Sequence, residues 1–471
     1  MFSIGFSHAK RSGAKSTMTD KEITFQTDII PLAERLLAYA MQEGQAYGIT
    51  DAKISVALKE SKKAEIEHGQ ISQVVSGTQQ GVVVLLFAGD RTYSFSKNTL
   101  DEPRLQAAIL ESMELMAVVP ENADNRLLEP EKIYTGPSID FDTRDPNPPA
   151  LSQMIDYARQ MEVAALAQPG VKATQAAAIS FSDVQGYTVA TNGLRYNESG
   201  TGFSAYIGVV AEDANGMQVH YEGSSAPHFS DMADPQKVGE DAAHGAVAQL
   251  GAVLPATGHD VSIILSPDAA EEFFSTVYTA IDGGNVFTSE TFLKDSLGQQ
   301  VMSAEVTLID DPRINRTSKS SYMDSSGVET QPITFIEHGI LKAFNASLVE
   351  SRRLGVAPIG RNDGPTNIFV LPGTLSPAAL MQDIKDGVYI KEFHGGKEDV
   401  NDGTYSRQAN GVRIIEGKIT EIAVDGFIVA GNLREMFMNV VLANDPSPLP
   451  STSHSMSVPT TRINGMTIAG G

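Results

Sequence analysis

The sequence predicts an α+β protein with an N-terminal α/β part and a strand-rich C-terminal part. Three observations lead there. Helical stretches of amphipathic spacing alternate with groups of strand-like runs through the first half of the chain. Beyond Gly283-Gly284 the pattern turns to short strands and turns. The 471 residues, 41% of them hydrophobic, supply more than one core.

Residues 1–22 read as a disordered tail. Up to Asp20 they hold no acidic residue, and they lack the apolar segment of a secretory signal. Residues 1–17 also read as an over-long start, with Met18 as the first residue, and a mitochondrial-type transit peptide is the alternative. Residues 23–235 read as an N-terminal α/β domain. Asp28–Gly44 places Leu32, Ala33, Leu36, Leu37 and Ala40 at helical spacing, with Asp28 as cap and Gly44 as stop. Strand-like runs follow at Ala52–Leu58, Ile71–Ser76, Gly81–Ala88 and Thr92–Ser96, and a helix from Asp101 to Val118. Residues 120–149, rich in Pro, Asn and Asp, read as a connector. A helix over Ala150–Gln168 opens a second such unit. Its strands are Ala176–Asp183, Tyr187–Ala190, Leu194–Glu198, Gly202–Glu212 and Met217–Glu222, with hairpin signals at Asn192-Gly193 and Asn215-Gly216. Asp234–Leu250 reads as a helix.

Residues 236–471 read as a strand-rich domain with pocket-lining loops. Val261–Leu265 is a buried strand, and Pro267–Ile281 a helix with Ser266 as cap. Phe335–Phe344 reads as a hairpin across His338-Gly339, and Ser347–Leu354 as a short helix. Val412–Ile415 and Ile419–Ile422 flank a turn, Val429–Asn444 carries one more helix, and Arg462–Ala469 is a final strand.

Composition excludes several kinds of chemistry. There is no cysteine, so disulfides, thiolate metal sites and cysteine nucleophiles are absent. Lys+Arg of 35 against Asp+Glu of 58 leaves a net charge of −23. That charge, with no local basic patch, argues against a nucleic-acid partner. No apolar run approaches the ~20 residues of a spanning helix, so no membrane partner is expected. A cytoplasmic location follows as an expectation. No P-loop, dinucleotide fingerprint, nucleophile elbow or H-E-x-x-H motif occurs.

Three segments are dense in Gly, polar and charged residues, as pocket-lining loops are: residues 282–300, 322–329 and 394–408. In the third, His394, Asp399 and Asp402 offer ligand types for a hard or borderline cation, at a spacing that matches no ligand pattern. Arg407 with nearby carboxylates and hydroxyls equally suits gripping a peptide backbone.

These segments, GGNVFTSETFLKDSLGQQV (Gly283–Val301), DSSGVET (Asp324–Thr330), IEHGILKAF (Ile336–Phe344), DGTYSRQANGVRIIEGKI (Asp402–Ile419), VAGNLREMF (Val429–Phe437) and the closing RINGMTIAG (Arg462–Gly470), resemble the TldD/PmbA family, and within it the PmbA (TldE) branch. The resemblance implies a two-domain fold and a metalloprotease assembly. In that assembly a TldD-type and a PmbA-type subunit enclose a chamber that trims or degrades unfolded peptides. The catalytic branch carries an H-E-x-x-x-H helix, whose imidazoles bind zinc while its Glu activates water. The matching positions here are Ser275, Thr276 and Ala280. The resemblance therefore implies no catalytic residue and no metal or other cofactor in this chain, with zinc in the TldD-type partner. Asp282, Gly283, Gly284, Asp324, Ser325, His394, Asn401, Asp402, Tyr405, Ser406 and Arg407 are the expected peptide-binding residues of the chamber. Two alternatives stay open. One is a self-sufficient metallopeptidase built on His394, Asp399 and Asp402. The other is a non-catalytic homodimer that binds peptides as a scaffold.

Overall fold

The structure, a computed structural model, describes residues 25–214, 216–447 and 456–470. The expected tail at 1–22, Asn215 of the second hairpin signal and most of the Pro/Ser-rich stretch near the C-terminus lie outside the described residues.

The first helix, α1 (Ile30–Gly44), buries Leu32, Ala33, Leu36, Leu37 and Ala40 along one face, and Pro31 sits in its first turn. A π-helical turn at Phe25–Ile29 precedes it, so Asp28 is not its cap. The meander β1 (Asp51–Glu67), β2 (Gln70–Ala88) and β3 (Arg91–Lys97) follows, then α2 (Glu102–Leu115). Asp101 caps α2 by accepting a hydrogen bond from the Arg104 amide at 3.0 Å. The theme then repeats with α3 (Leu151–Leu166), β4 (Val171–Ala190), β5 (Arg195–Asp213), β6 (Gly216–Ala226) and α4 (Pro235–Ala248). The two meanders join back to back as one antiparallel sheet, ordered β3-β2-β1-β4-β5-β6. In β1, Ile54 and Val56 share a core with α1 and α2, and Ala64 and Ile66 share one with α3 and α4. Side chains alternate along a strand, so all four helices cover one face of the sheet.

Several strands are longer than the sequence predicts. Ile71–Ser76 and Gly81–Ala88 form one strand, because the polar residues between them stay paired with β1. Gln185 and Gly186 likewise continue β4, held by β1 on one side and β5 on the other. Glycine interrupts a strand pattern, yet the ladder on both sides holds the backbone extended. A boundary at 235/236 falls at the first residue of α4. The buried face of that helix, Val238, Ala242, Ala243 and Ala246, belongs to the N-terminal core.

The C-terminal part begins with β7 (Gly258–Leu265), α5 (Pro267–Ala280) and α6 (Gly283–Thr288). Next come β8 (Leu308–Asp310), β9 (Ile333–Glu337), β10 (Ile340–Leu341), α7 (Leu348–Leu354), β11 (Ile368–Val370) and α8 (Pro377–Met381). The chain then forms β12 (Asp386–Glu398), β13 (Thr404–Ile415), β14 (Lys418–Asn432), α9 (Leu433–Met438), β15 (Val440–Leu442), β16 (Met456–Ser457) and β17 (Thr461–Ala469). Two sheets result, β14-β13-β12-β7-β17-β15 and β10-β9-β8-β11-β16. An added β14–β17 pairing bends the first of them back on itself. One core unites both sheets around α5, whose Phe273, Phe274 and Val277 are fully or almost fully buried. The helix expected over Val429–Asn444 shrinks to α9. Asn432 caps it, and the β-branched Val440 and Val441 pair with β17 instead.

Candidate functional site

Helix α5 presents its polar face to a hollow of about 400 Å³. Ser266 caps the helix by accepting from the Ala269 amide at 3.2 Å, and Pro267 opens it. Glu272, Ser275, Thr276 and Thr279 then fall at helical spacing on one face and line the hollow, opposite the buried phenylalanines. The far wall is the β12–β13 hairpin, which supplies Glu398, Val400 and Arg407. Phe292 donates its amide to the Val400 carbonyl at 2.8 Å and ties the hairpin tip to the loop after α6.

Arg407 organises this wall. Its Nη2 donates to Glu272 Oε2 at 2.9 Å, its Nε to the Gly395 carbonyl at 2.7 Å, and its Nη1 to Glu398 Oε1. Thr276 Oγ1 donates to Glu398 Oε2. The guanidinium lies 5.4 Å from the centre of the Phe393 ring. Partial burial works against the charge on Arg407, but the hydrogen bonds to Glu398 and Glu272 outweigh it and hold the guanidinium above its ordinary value. Tyr405 packs edge-on against the same ring and is buried, and loss of water pushes its hydroxyl well up.

Of the residues expected to bind peptide, Arg407 alone lines this hollow. Tyr405 supports it from the core, and Ser406 pairs with Lys397 on the neighbouring strand. His394 does not meet Asp399 and Asp402 as a metal site. Its Nε2 lies 2.8 Å from Asn410 Nδ2, while Asp399 and Asp402 accept the Asn401 and Thr404 amides and close the hairpin turn. Asn401 is exposed in that turn. Asp282 caps α6 through the Gly284 and Asn285 amides, and burial raises its carboxyl pKa. Gly283 lies so close to Ala346 and Glu350 that an added Cβ would sit 3.0 Å from each. Gly284 gives its amide to that same cap. Asp324 is buried and accepts from the Ser326, Val328 and Asn362 amides. Ser325 donates its amide to Asp363 at 2.7 Å, and its carbonyl accepts from Lys53 of β1 at 2.5 Å. These two groups build turns and dock the N-terminal sheet on the C-terminal part.

Glu272 lies outside the three pocket-lining segments, and Glu398 lies inside the third without standing out in it. Glu272 stands four residues before Thr276, so helical spacing was a usable signal for it. For Glu398 the segment gave only a neighbourhood, since the strand register is what brings it to Arg407.

Two domain families match the chain, and both are metallopeptidase domains. Residues 144–250 match the PmbA/TldA metallopeptidase central domain, and residues 257–470 match the C-terminal domain, which holds the α5 hollow. The chain belongs to the PmbA/TldD family. It is 26% identical to the metalloprotease PmbA of Escherichia coli O157:H7, over 84% of this chain and 87% of that protein. Its fold is that of a modulator of DNA gyrase from Bacteroides thetaiotaomicron VPI-5482, with a TM-score of 0.86 at 20% identity over 95% of this chain and all of the other. TldE from Thermococcus kodakarensis superimposes with a TM-score of 0.78 at 18% identity, over 93% of this chain and all of that one.

The zinc that a metallopeptidase implies does not fit the donors of this hollow. Zinc takes imidazole, thiolate and carboxylate. The α5 face offers hydroxyls, and the two carboxylates already share Arg407. Among the described residues, no three or more His, Asp or Glu side chains are placed to hold a metal ion.

Proposed function

We propose that this chain is the PmbA/TldE-type subunit of a metalloprotease assembly that trims or degrades unfolded peptides. It binds peptide and walls the chamber, while a TldD-type partner holds zinc and cuts. The observation that carries this reading is the α5 face. Helix, hollow and hairpin wall are in place in a metallopeptidase-family chain, yet the face carries Ser275, Thr276 and Thr279 against a salt-bridged guanidinium. Hydroxyls and carboxylate oxygens of this kind hydrogen-bond main-chain amides and carbonyls without regard to sequence, as the handling of unfolded peptides requires. Asn401 and Asp402 stand on the hairpin turn next to Val400, where they form the rim. Asp282, Gly283 and Gly284 shape the start of α6, and Asp324 and Ser325 the turn that meets β1. The reading includes a cytoplasmic location and no nucleic-acid contact. The net charge of −23 supports the second point.

Co-expression with a TldD-type subunit tests the proposal by size exclusion and by cleavage of an unfolded peptide. A stable mixed complex that cleaves, beside an inert isolated chain, is the expected result. Failure to form a complex or to gain cleavage overturns the reading. So does cleavage by the isolated chain with one zinc bound.

A further inference from the structure

The α5 hollow is built around a cation that belongs to the chain itself. Three groups from two elements converge on the Arg407 guanidinium: Glu272 from α5, and the Gly395 carbonyl and Glu398 from β12. Thr276 adds a hydroxyl behind Glu398. Two carboxylates and a main-chain carbonyl make an all-oxygen set around the guanidinium, the kind that hard divalent cations take. The neighbouring hollow of about 400 Å³ leaves room for an ion and its waters. The pair of Arg361 with Asp310 is different. Both partners are fully buried, and amides and carbonyls fill their surroundings.

We infer that Arg407 stands in for a metal ion: it neutralises Glu272 and Glu398, ties α5 to the β12–β13 hairpin, and so keeps a divalent cation out of oxygens that would otherwise bind one. Arg407 is thus a positioning residue that fixes the wall of the hollow through its two glutamates. Without it, two carboxylates face each other across a small gap, and their repulsion is relieved most simply by a cation. The inference concerns the isolated chain and depends on neither the partner nor the peptide, so it stands or falls separately from the assembly.

The experiment compares the purified full chain with Arg407→Gly, titrating each with Mn²⁺ by calorimetry and following thermal unfolding. Arg407→Gly is expected to bind one Mn²⁺ at least about tenfold more tightly than the wild type. Its lowered unfolding midpoint should rise with added Mn²⁺, as linkage requires. Adding Glu398→Gln should abolish that binding, and methylguanidinium should compete with Mn²⁺ for the same place. Arg413→Gly, which frees only the surface carboxylate of Asp386, should gain no site. The inference is overturned if folded Arg407→Gly binds no Mn²⁺. It is equally overturned if the wild type binds Mn²⁺ as well, through Glu398. If the glycine variant does not fold, Arg407→Gln, which keeps bulk and hydrogen-bonding capacity, undergoes the same titration with the same outcomes.

Discussion

Replacing Asp310 with alanine probes how the C-terminal core holds the loop that grips Asp324 and Ser325. Asp310 is fully buried at the end of β8. It accepts from Arg361 Nε at 2.8 Å, from the Thr366 amide at 3.1 Å and from the Asn367 amide at 3.0 Å. Arg361 is buried too, and it leads directly into Asn362 and Asp363, the partners of Asp324 and Ser325. The substitution strands a buried guanidinium, which costs about 3–5 kcal/mol when one partner of a buried pair is removed. Two main-chain amides lose their acceptor as well. Each is worth up to about 1–3 kcal/mol, although these costs are not independent of the first. The carbonyls of Ile359, Gly360 and Gln331 still hold Arg361, which keeps the total near 3–5 kcal/mol rather than above it. Urea unfolding followed by circular dichroism reads the loss, since there is no tryptophan to use. Hydrogen exchange over residues 359–367 locates it. Asp386→Ala, which breaks only the surface pair with Arg413, should cost at most about 1 kcal/mol. A loss no larger for Asp310→Ala than for Asp386→Ala refutes the reasoning.

Two further predictions follow from particular residues. Gly396 has φ of 100°, and an added Cβ would lie 2.3 Å from the Ser406 carbonyl oxygen, so Gly396→Ala should cost about 1–3 kcal/mol and loosen Glu398. Gly395→Ala meets open space and should cost less, and reversed unfolding midpoints for the pair would count against this account. Tyr157 donates to the Ala233 carbonyl at 2.7 Å, and burial pushes its pKa from 10.0 up to about 12. A raised folded-state pKa gives stability that is complete below pH 10 and lost as the pH rises through 10 toward 12. Tyr157→Phe should therefore flatten the alkaline limb of a stability profile, and an unchanged limb would show that Tyr157 plays no part in it.

The helices were largely legible because their signals are local. Ser266 acts as the cap expected of it, and α2 begins just after Asp101, where the helical spacing starts. Strand lengths were less so. A glycine such as Gly186 reads as a break, but pairing on both sides carries the strand through it. The site was legible in part. Arg407 stood out among polar residues, whereas its partner Glu272 lies 135 residues earlier in the chain. His394, Asp399 and Asp402 looked like ligands because they are close in sequence. A hairpin with register shifts points one toward Asn410 and spends the other two on its own turn.

The sequence by itself determined the α+β class, the helix faces, the family resemblance and the absence of thiolate chemistry. All of these follow from residue type, short-range period or ordered motifs. Only the tertiary structure decided that two meanders form one sheet, that α4 belongs to the N-terminal core, and that Glu272 and Glu398 converge on Arg407. Those outcomes depend on strand register and on which face each element buries. Such choices are made between segments far apart in the chain, where no local pattern records the partner.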